Sequence, residues 1–347
     1  RRRSKPLNFA SDNTTGAAPE ILEAIVAAND GRLMPYGDDE LTRAAEARIA
    51  EVFETDAHVF LVATGTAANA LALSAMTPAW GAVLCHGGAH IVDSECGAPE
   101  FFTGGAKLVT LPGDHGRISA ADLDAAAAGF SAARVHQVQA KCVSVTQATE
   151  VGTCYGPDEV RAIAEVCERH GLGLHMDGAR FANAVAALGC SPAELTWKAG
   201  VRALSFGATK NGALTAEAVV LFDSDLARDF AFRRKRGGHL FSKMRLLAAQ
   251  WTAYLTGELW LRNAGHANAM AARLAAGLKA IDGAELTHPV EANILFPRLP
   301  RPVIEGLKAE GFKFYERGGD DVVRLVCAFS TTEQDVDALL DAARRHA

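Results

Sequence analysis

A lysine, an aspartate, a histidine and a Gly-Thr pair fall where strand-like runs give way to loops, and each has a chemistry that such a place can serve. Lys210 sits in "LSFGATKNGAL", residues Leu204 to Leu214, alone among small and apolar neighbours. Desolvation there would lower its pKa and free an amine to condense with a carbonyl, although a surface lysine on a turn before Asn-Gly has the same local sequence. Asp177 closes the strand-like "LGLHM" and is followed by "GAR". Its carboxylate could pair with a buried cation such as a protonated ring nitrogen, with Arg180 close by, or could simply cap a helix. "ATGTAAN", Ala63 to Asn69, joins a strand to a helix through Gly65 and Thr66. Backbone N–H groups at a helix start, with a hydroxyl beside them, suit phosphate; Thr66 as an ordinary cap is the competing reading. His90, in "CHGGAHIVDSE", follows a short strand, where its flat ring could stack on a planar group or serve structure alone.

Together the four suggest pyridoxal 5'-phosphate: a lysine for the aldehyde, a carboxylate for the pyridinium nitrogen, a cradle for the phosphate and a ring to stack. The chain has no G-x-G-x-x-G and no G-x-x-x-x-G-K-[ST], so neither a dinucleotide fingerprint nor a P-loop explains the Gly-Thr turn.

The elements that must position these residues alternate between strand and helix as far as about residue 222. "HVFLVAT", "AVLC", "KLVTL", part of "RVHQVQAKCVSVTQ", "LGLHM", "RALSFG" and "EAVVLF" read as strands. Helices are predicted over "TAANALALSAM", from Pro157 to a stop at Gly171, from about Ala179 to Gly189, and from a capping box at Ser191, Pro192 and Glu194. Such alternation predicts a mainly parallel sheet covered on both faces. Beyond Asp225 the chain turns helical in "SKMRLLAAQWTAYLTGELWLRN" and "HANAMAARLAAGLKAI". A smaller mixed region follows, with "ANILFP", a helix over "RPVIEGLKAEG", the strand "DVVRLVCAF" and a last helix from near Thr332. This predicts a large domain over residues 1–251 and a small C-terminal one over 252–347.

The 347 residues exceed the roughly 250–300 at which a single core stops growing. With 49% apolar and 22% charged residues the composition is that of an ordinary globular protein. A net charge of -6 argues against nucleic acid as a partner, and no apolar run approaches the roughly 18 residues of a membrane span. The basic start "RRRSK" has no apolar stretch behind it and reads as a loose arm rather than a signal peptide. Seven cysteines without a C-x-x-C pair point to free thiols in a reducing cytoplasm, and to no metal site.

From "NFASDN" to "VVRLVCAF" the chain resembles the threonine aldolases, fold-type I pyridoxal-phosphate enzymes of the β-eliminating lyase group. The resemblance rests on "ASDN", "YGDDE", "ATGTAAN", "GAHIVDSECGAPE", "HMDGAR" and "SFGATKNG". It implies an α/β fold in which a three-layer α/β/α large domain with a mainly parallel mixed sheet carries a smaller α+β C-terminal domain. It implies further that Lys210 binds the cofactor aldehyde covalently, Asp177 holds the pyridine nitrogen, His90 stacks over the ring, and Gly65 and Thr66 hold the phosphate. Ser11, Arg180 and Arg324 match positions that hold the substrate carboxylate, with Arg180 also near the ring oxygen. Tyr36 and Arg234 match regions that line a neighbouring subunit's site, so a homodimer or homotetramer is expected. Many relatives carry a second histidine where "TQATEVG" has Glu150, which leaves His90, Glu150 or a water they hold as the general base. The implied reaction is retro-aldol cleavage of L-threonine, L-allo-threonine or other β-hydroxy-α-amino acids to glycine and an aldehyde. Sequence does not separate it from β-elimination, racemisation or transamination on the same scaffold.

Overall fold

The computed structural model describes residues 7–130, 133–317 and 319–347; the basic start expected to be a loose arm lies outside them. Seven strands form one sheet: β1 His58–Val62, β2 Gly81–His86, β3 Lys107–Leu111, β4 Gln139–Thr146, β5 Gly173–Gly178, β6 Ala203–Gly207 and β7 Glu217–Leu221. Their order across the sheet is β1-β7-β6-β5-β4-β2-β3. The pairs β2–β3, β2–β4, β4–β5 and β5–β6 are parallel, whereas β7 runs antiparallel to both β1 and β6. The first six strands therefore all end on one edge. Glu217, at the start of β7, pairs with Val62 at the end of β1 and with Gly207 at the end of β6.

Every residue of β5, β6 and β7 is buried, as expected of strands covered on both faces. Under the end of β6 the Phe206 ring packs against Trp251 at 4.8 Å, Phe53 at 5.5 Å and Phe181 at 5.6 Å between centroids. This aromatic cluster makes a stiff base for the loop that follows.

Helix limits follow the caps. Pro157–His170 starts on Pro157 and stops where Gly171 turns left-handed at φ 65°. The capping box at Ser191 and Glu194 is present, but its helix, Pro192–Leu195, is four residues long because Thr196 leaves helical geometry. "SKMRLLAAQWTAYLTGELWLRN" is divided between two helices, Arg245–Leu255 and Leu259–Leu278, the second running on through most of "HANAMAARLAAGLKAI"; they part where Gly257 and Glu258 take φ of 55° and 57°. In "RVHQVQAKCVSVTQ" only Gln139–Thr146 is strand.

Two main cores are present. The larger lies around the sheet; the smaller joins the short strands Ile294–Leu295 and Val323–Val326 to the helices Arg301–Ala309 and Glu333–Arg345, with the exposed Tyr315–Glu316 paired along Val323–Val326. Leu259–Leu278 gives Trp260 and Ala264 to the first core and Met270, Leu274 and Leu278 to the second. Phe9, near the start of the chain, packs in the smaller core, and its backbone bonds Lys313 and Val326 at 2.8 Å each. That anchorage brings Ser11 and Asp12 back to the sheet edge. Among the described residues no helix is long and apolar enough to cross a membrane, and all seven cysteines are free.

Candidate active site

Lys210 lies in a single 3₁₀ turn, Thr209–Asn211, just past β6. The turn is pinned on both sides. Asn211 Nδ2 donates to Tyr254 Oη at 2.7 Å and to the Trp260 carbonyl at 2.8 Å, and Ala216 N donates to Thr209 Oγ1 at 3.0 Å. Gly212 then takes φ 110°, and a Cβ there would stand 2.7 Å from Asn263 Nδ2, so the Asn-Gly that resembles a surface turn is an anchored one. Burial drives the Lys210 pKa down and the Arg180 charge adds to it, while Asp12, Asp177 and Glu217 pull the other way. The amine makes no hydrogen bond or close ion pair among the described residues. A lysine so placed has a larger neutral fraction than one in water.

Asp177, 3% exposed, is the last residue but one of β5. Its Oδ1 accepts from Ala179 N at 3.0 Å and its Oδ2 from Asn69 Nδ2 at 2.8 Å, while the following helix, Phe181–Leu188, takes Arg180 as its N-cap residue. The helix-cap reading of Asp177 therefore does not describe its use. Two residues earlier His175 is fully buried between Ser144 Oγ at 2.9 Å and Ser205 Oγ at 3.0 Å, and burial lowers its pKa to about 4. It is neutral at pH 7, so no cation from this strand competes for Asp177.

His90 begins the short helix His90–Asp93 after β2. Its ring Nδ1 lies 2.8 Å from Glu95 Oε1, and its backbone N–H donates to Glu150 Oε1 at 2.8 Å. Thr146 Oγ1 donates to that same Glu150 oxygen at 2.8 Å. Burial, with the Asp177 charge behind it, raises the pKa of both Glu95 and Glu150, the hydrogen bonds from His90 opposing it in Glu95 and those from Thr146 and the His90 backbone in Glu150. Glu95 Oε2, Glu150 Oε2 and Asn69 Oδ1 are buried without a donor among the described residues. The region thus holds more acceptors than its own donors satisfy, an arrangement suited to a ligand that brings a cationic N–H.

Opposite this group Arg180 Nε and Nη2 grip Asp12 Oδ2 and Oδ1 at 2.7 and 2.9 Å, and Asn293 Nδ2 adds a bond to Asp12 Oδ2 at 3.2 Å. Burial alone would raise the Asp12 pKa, but the Arg180 charge and bonds outweigh it and hold the carboxyl below its usual range. Ser11 Oγ caps the next turn by accepting from Asn13 N at 3.1 Å. Arg324, in Val323–Val326, is paired with Tyr315 across the strands, but its guanidinium makes no hydrogen bond or ion pair among the described residues. Its pKa falls to about 10, first through burial and then through the nearby Arg180 charge. An unpaired, partly desolvated guanidinium is a receptor for a carboxylate.

Gly65 and Thr66 are the first residues of the helix Gly65–Met76, but the cap is Thr64, whose Oγ1 accepts from Ala67 N at 3.2 Å. The Gly65 and Thr66 N–H groups are left without intrahelical partners, and a Cβ on Gly65 would meet nothing within 4 Å. The preceding Ala63 is held by His239 Nδ1 at 3.2 Å and by Thr215 Oγ1 at 2.7 Å, which fixes the cradle to the segment after Lys210.

Lys210, Asp12 and the Asp177–Arg180 segment are thus assembled from three separate parts of the chain; His90 is joined to Asp177 through Glu95 and Asn69, and Glu150 to the His90 backbone N–H. Tyr36 and Arg234 stand apart from them. Tyr36 is half-exposed with Lys235 Nζ 4.7 Å from its ring centre, and Arg234 is buried over Phe60 with Glu46 at 3.8 Å. Asp12, Thr64, Asn69 and Glu95 were not singled out from the sequence, although each lies within or beside a quoted motif; a polar residue in an otherwise apolar helix face, as Asn69 is, was the available signal.

These residues fit pyridoxal 5'-phosphate: a half-buried amine with no hydrogen-bond partner among the described residues, a buried carboxylate next to acceptor-rich space, and open helix-terminal N–H groups. Comparison with known proteins agrees. A sequence model of the β-eliminating lyase family matches residues 8–299. The chain is 46% identical over 336 residues to a low specificity L-threonine aldolase of Pseudomonas aeruginosa, covering 97% of this chain and 96% of that one. It superposes on a threonine aldolase of Leishmania major with a TM-score of 0.92 and 32% identity, covering 98% and 99% of the two chains. With the serine palmitoyltransferase of Sphingomonas wittichii, at 16% identity and a TM-score of 0.75, it shares the fold alone.

Proposed function

The chain belongs to the β-eliminating lyase family, and from that membership we propose that it is a pyridoxal-phosphate-dependent aldehyde-lyase, a threonine aldolase of low specificity. Its fold is the fold-type I architecture. The substrates are L-threonine, L-allo-threonine and related β-hydroxy-α-amino acids, phenylserine among them, and the products are glycine and an aldehyde. The observation that carries this reading is Lys210, half-buried and without a hydrogen bond among the described residues, just past the end of β6, whose neighbour β5 carries Asp177 within electrostatic reach of it.

Bound in the site, pyridoxal 5'-phosphate supplies the electron sink that lets a bond at the amino acid Cα break. Lys210 would hold its aldehyde, Asp177 its ring nitrogen, Gly65 and Thr66 its phosphate, and His90 one ring face. The chain does the rest. Arg324, with Arg180 Nη1 and Ser11, clamps the substrate carboxylate and so fixes which Cα bond is aligned for cleavage. His90 is the candidate base for the β-hydroxyl proton: Glu95 fixes the ring through Nδ1, leaving Nε2 free to accept. Glu150 serves as an acceptor that holds the His90 backbone and Thr146.

His90→Asn is expected to lower kcat about 10²- to 10⁴-fold. Glu150→Gln keeps an oxygen for both of its donors and should cost less than about tenfold. The opposite ranking would assign the proton to Glu150. The function itself is tested by incubating the protein with L-threonine, L-allo-threonine and phenylserine and measuring glycine and aldehyde against keto acid. Keto acid without aldehyde would favour elimination or transamination and overturn the aldolase reading.

The assembly is proposed to be a homodimer or homotetramer with sites at subunit interfaces, to which Tyr36 and Arg234 contribute. Support comes from the exposed Leu22, Val26 and Met34 near Tyr36 in the chain, and from Arg234 Nε and Nη1, buried without a hydrogen-bond partner. The division at residues 251 and 252, which falls within the helix Arg245–Leu255 and precedes the helix shared by both cores, and a cytoplasmic location belong to the same proposal.

A further inference from the structure

Asn69 stands between two buried carboxyl groups. Its Nδ2 donates to Asp177 Oδ2 and to Glu95 Oε1, both at 2.8 Å, and Glu95 Oε1 is in turn 2.8 Å from His90 Nδ1. All three links are short, and the Asn69, Glu95 and Asp177 residues are 2%, 4% and 3% exposed. The amide's orientation follows from chemistry: only its NH₂ end, with two hydrogens, can face two carboxyl oxygens, and its Oδ1 is left buried and without a donor. Likewise, with Glu95 ionised, only a protonated Nδ1 can sit against its Oε1, which makes the neutral His90 ring the Nδ1–H tautomer, the less common one in water.

We propose that Asn69 and Glu95 are positioning residues forming a relay, Asp177 to Asn69 to Glu95 to His90, that ties the carboxylate meant for the cofactor nitrogen to the imidazole meant to cover its ring. The proposal rests on the cofactor reading above for its purpose, but not for its geometry. The physical need is evident. Asp177 and Glu95 repel one another in a poorly solvated space, and an amide that donates to both screens the pair without adding a charge of its own. Glu95 then acts on His90 as the orienting third group of a catalytic triad does, fixing ring tautomer and orientation while Nε2 has no partner among the described residues. Leucine at 69 would match asparagine in size and remove both donors, so the two carboxyl groups would face each other unscreened.

The test uses full-length protein with ring-¹⁵N histidine, the His90 signal being identified among the 11 histidines by its loss in His90→Gln. Spectra are recorded with and without added pyridoxal 5'-phosphate. Wild type is expected to show the Nδ1–H tautomer at His90 in both states. Glu95→Gln, which keeps an acceptor oxygen, should retain it, and Glu95→Leu should revert to Nε2–H. Asn69→Leu is expected to weaken pyridoxal phosphate binding, read as the dissociation constant by absorbance, by on the order of tenfold. In that background Glu95→Leu should change the constant no further, whereas in wild type it should weaken it. An Nε2–H ring in wild type would overturn the relay, as would equal and additive effects of Glu95→Leu in the two backgrounds. Failure of the protein to bind pyridoxal phosphate would overturn the cofactor reading instead, with the tautomer result standing or falling by itself.

Discussion

Lys210→Ala is expected to abolish turnover, by at least about four orders of magnitude in kcat, and with it the attachment of pyridoxal phosphate to the chain that borohydride reduction makes permanent. Alanine removes the amine while leaving the turn intact, because the bonds that shape it come from Asn211, Thr209 and the backbone rather than from the lysine. The variant should therefore fold, and cofactor should still associate through Asp177 and the Gly65–Thr66 N–H groups. Lys210→Arg is the sharper control. A guanidinium keeps the charge and much of the length but stays protonated at any usable pH, whereas burial shifts the native amine toward its neutral form. If arginine supports turnover, or if reduced native protein carries the adduct at another amine, Lys210 is not the attachment point. Mass spectrometry of the reduced, digested protein decides this.

Asp177→Ala is expected to lower kcat by on the order of 10²- to 10³-fold, the size found when one preorganised charge-stabilising group is removed from an active site. The carboxylate lies in a fully buried strand, its two oxygens held by Ala179 N and Asn69 Nδ2, and no cation on the same strand neutralises it since His175 is uncharged. A ring nitrogen beside such a carboxylate stays protonated; beside alanine it does not. Cofactor affinity should fall with the rate, and Asp177→Glu should restore little, because the longer side chain displaces the carboxylate from Ala179 N and Asn69 Nδ2, the two donors that fix it. An unchanged rate in Asp177→Ala would separate the residue from the chemistry.

The strands and the first six loops were legible because each strand is a short apolar run with a small or polar residue at its end; "RALSFG" before Lys210 and "LGLHM" before Asp177 are the clearest cases. Local signals also gave the helix stops at Gly171 and Gly189, where φ of 65° and 64° needs a residue without a side chain. The break at Gly257 and Glu258 was not legible, since the apolar pattern continues through it and only the left-handed backbone parts the helices. Within the site, residues set by their own strand end were found, while those set by partners far away in sequence were not. Asp12 matters because Arg180 grips it 168 positions later, and Asn69 because Asp177 lies 108 positions on. Thr66 looked like the cap because it follows the glycine, yet the hydroxyl that reaches back to the helix belongs to Thr64.

The reversed strand β7 has one more implication, for how the protein is made. β1 pairs with no other strand of the sheet, and its partner for His58 is Leu221. As the chain leaves the ribosome, the apolar "HVFLV" must wait, unpaired, through the synthesis of every other strand of the sheet, an edge open to mispairing with other nascent chains. The same delay bars early capture of vitamin B6: the Gly65 turn and the Lys210 turn are brought side by side only when Glu217 has been added and threads between them.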